Sequence, residues 1–299
     1  MLRQLTIVVG KGGVGRSTVA AALARNAAAA GGRVLAVDSV SDGGLRAALA
    51  EPHDDPAPEI GERGSIELLE LTTERALDEY LKLFLRVPIP PSRIRPIARI
   101  FDYVATAAPG VREILAIGKI AWEVREGAWD AVIVDGPATG HVIELLAAPK
   151  TLGDLISVGP LSEQTEWIAA LLADPEITGA VVATTAESLP VSECFELMER
   201  FVDETDVDLM GLVVTRLPDL LDDDGLSEAD ELARLGLKSS QSAPLSGALG
   251  AAAGVVALRA RAAAIEIDRL ASVDLPYVWV PEAAEPVDAT RRALLELNL

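Results

Sequence analysis

Cysteine and histidine are nearly absent from this 299-residue chain, in which Cys194 is the single cysteine and His53 and His141 are the two histidines. A disulfide framework needs paired cysteines, and a structural zinc site needs about four cysteine or histidine ligands. Neither can be built within one copy of this chain. The composition therefore predicts no zinc site and no disulfide.

Positive charge is scarce as well, because 26 lysines and arginines face 46 aspartates and glutamates, and the formal net charge is −20. Proteins that bind nucleic acid rely on clustered basic side chains, which displace counterions from the phosphate backbone. We therefore expect no nucleic-acid partner.

Long hydrophobic runs are also lacking. The longest stretch without charge, Ser239 to Leu258, contains Pro244 and several glycines and serines. This composition predicts a buried helix of small residues and not a membrane span. The first residues show no charged-then-apolar signal segment. We expect a cytoplasmic protein without a direct membrane span.

Seven short apolar runs alternate with helical stretches along the chain. The runs are LTIVV, RVLAVD, IELLEL, DAVIVD, GAVVAT, LMGLVV and YVWV. Buried strands that are separated by helices favour a doubly wound, mostly parallel α/β sheet with helices on both faces. Half of the residues are hydrophobic, enough for one large domain over residues 1–299. Within it, residues 73–108 are predicted to form a helical subdomain.

The segment GKGGVGRST follows the first apolar run and precedes a helical stretch. Its residues are Gly10, Lys11, Gly12, Gly13, Val14, Gly15, Arg16, Ser17 and Thr18. Glycines between a strand and a helix let backbone N–H groups wrap a phosphate, and the helix dipole points at the same place. An ordinary glycine turn fits the spacing and context poorly. We predict that this phosphate loop binds ATP or ADP, with Ser17 as a Mg²⁺ ligand and Thr18 on the α-phosphate.

The sequence KGGVG, followed by a basic residue and Ser or Thr, resembles the deviant Walker A loop of a class of ATPases. That class includes the arsenite-pump subunit ArsA, the factors that target tail-anchored proteins, and the positioning proteins MinD and ParA. The resemblance implies a homodimer, or a heterodimer with a paralogous ATPase, in which two subunits meet face to face. It also implies a catalytic role for Lys11 in the partner's nucleotide site.

The second motif, VIVDGPATGH (Val132 to His141), resembles the switch II segment of the ArsA and tail-anchor-targeting branch. An aspartate followed by glycine at a strand end is common in turns, so this motif alone is weak evidence. Together with the phosphate loop it becomes strong evidence for the family. The resemblance implies that Asp135 holds Mg²⁺ through water and that Gly140 lets the segment move with the γ-phosphate. Stretches at 109–120, 158–175, 184–193 and 275–282 resemble the same branch in order.

Two positions depart from the family pattern. Arg16 stands where the family has the loop lysine, and Arg and Lys do not fit phosphates alike. In the segment that matches switch I, Asp38 is a candidate nucleotide-binding residue. The family has an aspartate that orients the attacking water two residues further on, but this chain has Val40 there. Asp42 is the alternative carboxylate, although Gly43 beside it also fits a plain turn. We expect slow ATP hydrolysis alone, or activation by a paralogous partner.

Recognition of the adenine base is assigned to the segment after the sixth apolar run. The family often has an asparagine there, whereas this chain has Thr215 and Arg216, which can hydrogen-bond or stack on a purine. The segment from Pro281 to Pro286 is expected to close over the base.

The resemblance also implies a client, such as a membrane protein or another hydrophobic partner. A client groove would have to come from residues 76–107, but ordinary helix packing is the better explanation of their apolar side chains. The leading prediction is an ArsA-like ATPase that couples nucleotide state to dimer conformation. The alternatives are a nucleotide-gated scaffold that does not hydrolyse ATP and a spatial regulator of the MinD and ParA type.

Overall fold

The computed structural model of the chain describes residues 2–40, 42–50, 64–71, 111–127, 129–155, 160–218 and 243–297. These ranges include the whole phosphate loop and the predicted switch II segment, and the predicted switch I segment except residue 41. The predicted helical subdomain at 73–108 and the predicted client groove at 76–107 lie outside the described residues. Both therefore stay predictions.

The described residues form one seven-stranded sheet in which every neighbouring pair is parallel. Its strands are β1 (Leu5–Gly10), β2 (Arg33–Asp38), β3 (Ser65–Glu70), β4 (Ala131–Asp135), β5 (Thr178–Thr185), β6 (Leu209–Leu217) and β7 (Tyr277–Pro281). The strand order is β3-β2-β4-β1-β5-β6-β7. Each predicted apolar run falls on a strand, which confirms the predicted α/β class.

Helices connect these strands, as parallel pairing requires. In the described residues they are α1 (Arg16–Ala29), α2 (Gly44–Leu49), α3 (Val111–Glu126), α4 (Thr139–Leu155), α5 (Pro160–Ala173), α6 (Ser188–Glu204), α7 (Ala243–Leu270) and α8 (Pro286–Glu296). Pro286 stands at the start of α8, where its fixed φ and missing N–H suit a first helical turn.

The central strands of the sheet are buried on both faces, and their side chains point alternately to one face and the other. On β1, Leu5, Ile7 and Val9 point into one core, which also holds apolar residues of α3, α4, α5 and α6. Val8 points into the other core, with the alanine-rich face of α1 and residues of α2 and α8. Two cores on opposite faces explain why the strands read as continuous apolar runs.

The phosphate loop lies at the point where the strand order reverses. β1 pairs with β4 on one side and with β5 on the other, with Val8 opposite Asp135 and Gly10 opposite Ala183. Ligands of open α/β sheets bind at such a point, beyond the carboxyl ends of the strands. The fold therefore brings the ends of β1, β2 and β4 to one site.

Helix α7 differs from its prediction. The segment from Ser239 to Leu258 is predicted to be a buried helix, and α7 does include it from Ala243 onward, but Val255 and Leu258 are exposed. The helix packs on the core further along, through Ala263 and Leu270. Among the described residues no helix is both long and apolar enough to cross a bilayer.

Candidate nucleotide site

The phosphate loop follows β1 and leads into α1 at Arg16. A Cβ on Gly10 would lie 2.4 Å from the carbonyl oxygen of Ala183, so only glycine fits beside β5. Gly13 has a φ of 85°, a left-handed conformation that glycine adopts freely, and a Cβ there would meet open space. The loop is thus an open backbone cradle in front of the positive end of the α1 dipole.

A cavity of about 460 Å³ lies against this loop. It is lined by Gly13, Gly15, Arg16, Ser17, Thr18, Asp42, Thr215, Arg216, Val280, Pro281, Glu282, Ala283, Pro286 and Thr290. The predicted phosphate, switch I and adenine residues thus meet at one cavity of a size usual for ligands. A larger cleft of about 920 Å³, beside the carboxyl-terminal half of α6, contains no predicted site residue.

Ser17 and Asp135 meet beside the cavity, as the Mg²⁺ prediction requires. The Ser17 hydroxyl donates to Oδ2 of Asp135 at 2.5 Å, and Oδ1 of the same carboxylate is buried without a hydrogen-bond partner. Burial raises the pKa of Asp135 to about 6, while the Ser17 hydrogen bond and the Arg16 charge act in the opposite direction. A hydroxyl and a carboxylate with an unused oxygen fit the hard oxygen ligands that Mg²⁺ prefers.

No cluster of three or more His, Cys, Asp or Glu in the described ranges is arranged to hold a metal. A Mg²⁺ site at Ser17 and Asp135 would therefore depend on phosphate and water oxygens for its other ligands. That is the usual arrangement for Mg²⁺ at a nucleotide, because the ion keeps several waters and binds few protein groups.

Arg16 contacts the switch II backbone. Its Nη1 donates to the carbonyl oxygen of Gly136, directly after Asp135. The guanidinium also lines the cavity. Arg16 therefore links the start of α1 to the end of β4. Its guanidinium places a positive charge next to the predicted switch II segment.

The switch I segment, residues 39–44, places a different carboxylate at the cavity from the one that the family pattern predicts. Val40 is 47% exposed, and its amide donates to Oδ1 of Asp38 at 3.1 Å. Asp42 lines the cavity. A Cβ on Gly44 would lie 2.9 Å from Oγ of Ser17 and 3.0 Å from Oδ1 of Asp42. The Asp42 carboxylate and the Ser17 hydroxyl therefore lie near each other, beside Gly44.

Thr215 and Arg216 both contact the phosphate loop. The Thr215 hydroxyl is buried and donates to the Val14 carbonyl oxygen at 2.6 Å, so its proton is used inside the protein. Nη2 of Arg216 donates to the carbonyl oxygen of Gly13, and Arg216 has a φ of 53°. A base can still stack on Arg216 or donate to Thr215, and both residues also hold the loop in place.

Seven of the predicted site residues do not line the cavity: Gly10, Lys11, Gly12, Val14, Asp38, Asp135 and Gly140. Gly140 lies in the first turn of α4. The Lys11 side chain contacts α6, where its Nζ lies 2.7 Å from Oε1 of Glu193. Its predicted role in a partner's site is compatible with a position outside its own cavity.

The family model described as anion-transporting ATPase matches residues 3–159, a range that includes both the phosphate loop and switch II. The chain belongs to this family. It is also 34% identical over 240 residues to the ATPase BagA of Mycobacterium tuberculosis, covering 76% of this chain and 69% of that protein.

Two fungal proteins named ATPase get3 are more distant relatives of this chain. The Schizosaccharomyces japonicus protein is 27% identical over 145 residues, which is 48% of this chain and 44% of its own. The Schizosaccharomyces pombe protein is 24% identical over 198 residues, which is 63% of this chain and 59% of its own. These matches confirm the resemblance to the ArsA and tail-anchor-targeting branch.

Two contacts of this family member were missed by the sequence analysis. The Gly136 carbonyl oxygen, which accepts from Arg16, carries no side-chain signal at all. Glu193 lies in a stretch that resembles the family, but 182 residues separate it from Lys11, so spacing along the chain gives no sign of their contact.

Proposed function

We propose that this protein is a Mg·ATP-dependent ATPase with slow intrinsic turnover, whose nucleotide state controls the pairing of two subunits through their phosphate loops. Membership of a family of ATPases supports nucleotide and Mg²⁺ use in general. The observation that carries the proposal is the oxygen pair of Ser17 and Asp135 beside the cavity, with one Asp135 oxygen buried and unused.

The chain's own residues divide the work at this site. Backbone N–H groups of the phosphate loop and the α1 dipole would bind the nucleotide phosphates, with Arg16 adding a charge. Ser17 would ligate Mg²⁺ and Asp135 would hold one of its waters. Bound Mg²⁺ would neutralise charge on the phosphates. Arg216 and Pro281, which also line the cavity, would contact the base.

Asp135→Asn is expected to remove most of the Mg²⁺ dependence of ATP binding, because the amide cannot supply the negative charge that holds a metal-bound water. Loss of such an outer ligand typically lowers metal affinity about 10- to 100-fold. The measurement is calorimetric titration of ATP with Mg²⁺ and with EDTA. Affinity in EDTA should be unchanged, and an unchanged Mg²⁺ dependence would remove Asp135 from the metal site.

Slow turnover is inferred from the two departures at the phosphate loop and switch I. Val40 carries no group that accepts a proton or a hydrogen bond from water, and Arg16 is directed at the Gly136 carbonyl. Asp42 is the switch I carboxylate at the cavity, so it is the first candidate for the group that orients water.

Restoring the family pattern with Val40→Asp and Arg16→Lys together is expected to raise steady-state ATP turnover, since a positioned acid or base typically contributes about 10²- to 10⁴-fold. Val40→Asn with Arg16→Lys is the matched control, because asparagine has the same size without the charge. A wild-type rate of the order of 10 s⁻¹, ordinary for enzymes, would contradict the proposal of slow turnover. Asp42→Asn would then be expected to abolish that rate.

A nucleotide-gated scaffold that does not hydrolyse ATP is the second candidate. The contact between Arg16 and switch II favours it, because a guanidinium held by a backbone carbonyl is diverted from phosphate. Turnover measured alone and with a paralogue separates the two, since a scaffold stays inactive in both. Pelleting with anionic liposomes or DNA tests the third possibility, a spatial regulator, which should sediment with one of them.

We further propose that the paired subunits act on a client or transport partner. The family description as anion-transporting supports a partner of this kind. Identification of a protein that co-purifies with the ATP-bound form, and leaves it on exchange to ADP, tests this part of the proposal.

A further inference from the structure

The side chain of Lys11 is held within its own subunit. Its Nζ lies 2.7 Å from Oε1 of Glu193, and the two side chains are 30% and 32% exposed. Lys11 lies in the loop after β1, and Glu193 lies in the second turn of α6. The contact therefore joins the phosphate loop to a helix that follows β5.

We propose that Glu193 is a positioning residue that keeps Lys11 in cis until two nucleotide-bound subunits meet. Pairing then exchanges the Glu193 contact for the partner's phosphates. The inference rests on the proposed function, because it assumes that Lys11 serves the partner's site. It adds a regulatory residue that the family resemblance does not supply.

The charges explain why the contact between Lys11 and Glu193 opposes the pairing of two subunits. A carboxylate 2.7 Å from the ammonium neutralises the charge that would attract a phosphate. When the partner's phosphates approach, the Glu193 carboxylate also repels them, unless Lys11 moves away from it or bridges both groups. Both effects make pairing less favourable, so removal of the carboxylate charge should favour it.

The expected size of the effect follows from the partial exposure of the pair. Ion pairs that solvent reaches contribute modestly, equivalent to about a 1.4- to 5-fold change in an equilibrium constant. A symmetric dimer has two such pairs, so the effect on its dissociation constant is squared, to about 2- to 25-fold. A heterodimer with a paralogue would show the single factor.

The test is Glu193→Gln, measured by sedimentation equilibrium with Mg·ATP. Glu196→Gln is the matched control, because Glu196 is an exposed residue of the same helix and loses the same charge. We expect the ATP-dependent dimer to tighten in Glu193→Gln and to stay unchanged in Glu196→Gln. An unchanged or weaker dimer in Glu193→Gln would overturn the inference, and so would equal tightening in both variants.

A second measurement needs no dimer. Acetylation of Lys11 by acetic anhydride, followed by mass spectrometry of the nucleotide-free monomer, should be faster in Glu193→Gln, because the ion pair protects the amine. Acetylation of the exposed Lys150 is the internal reference. Equal Lys11 rates in the two proteins would show that the pair does not form in solution, and the inference would fail on that ground alone.

Lys11→Ala separates failure of this inference from failure of the proposed function. If Lys11→Ala weakens the ATP-dependent dimer but Glu193→Gln does not tighten it, Lys11 acts in trans and only the Glu193 inference is wrong. If neither variant changes pairing, or if the wild-type chain forms no ATP-dependent dimer with itself or a paralogue, both are wrong.

Discussion

Gly13→Asp is expected to abolish binding of Mg·ADP and Mg·ATP, because it places a carboxylate in the space that the phosphates would occupy. A Cβ on Gly13 meets no protein atom within 4 Å, so the new side chain has room in the folded protein. A charge about 4 Å from a phosphate oxygen costs about 4 kcal/mol near a protein surface, equivalent to about a thousandfold loss in affinity.

Gly13→Asn is the matched control for this variant, since Asn and Asp have the same shape and both tolerate a positive φ. Calorimetric titration should show a much larger loss of affinity for Asp than for Asn, with both proteins retaining the thermal transition of the wild type. Equal losses would attribute the effect to bulk, and unchanged nucleotide affinity in Gly13→Asp would remove the phosphate-loop assignment.

The central strands were predictable because they are buried on both faces of the sheet. Each strand of such a sheet needs a continuous apolar run, and runs such as DAVIVD mark β4 whatever the distant parts of the chain do. The phosphate loop was predictable for a similar reason, since its glycines and the helix after it are consecutive in sequence. Local pattern and fold agree there, as minimally frustrated sequences require.

The remaining features depend on contacts between distant segments. Val255 and Leu258 belong to an apolar stretch, but only the fold decides that the core meets α7 further along, at Ala263 and Leu270. The family pattern likewise drew attention to Val40, whereas the course of the backbone after β2 brings Asp42 to the cavity. Sequence spacing does not show where the core meets α7, and it offers Asp42 only as the alternative to the position of Val40.

Lys11 is the residue for which sequence and structure are most informative together. The resemblance of the motif predicts that Lys11 serves a partner's site, and the structure shows its side chain on Glu193, outside its own cavity. The backbone cradle of its own subunit does not depend on this side chain. Nucleotide affinity and partner activation should therefore respond separately to its removal.

Lys11→Ala is expected to leave the subunit's own nucleotide affinity largely intact and to lower the turnover of its partner. A cation that stabilises the transition state from a second subunit contributes about 10³- to 10⁵-fold in GTPases, which sets the scale of the loss. The assay mixes this chain, wild type or Lys11→Ala, with a paralogue that carries both the loop lysine and the switch I aspartate. Steady-state ATP turnover is measured at increasing concentrations of this chain.

Two controls accompany that assay. Lys11→Arg keeps the charge but replaces a compact ammonium with a planar guanidinium, so partial activation by this variant would show how much geometry matters beyond charge. Lys150→Ala removes a lysine whose exposed ion pair with Asp206 lies away from the cavity, and it should activate like the wild type. If Lys11→Ala also activates like the wild type, Lys11 has no role in trans, and its charge serves only its own subunit through the contact with Glu193.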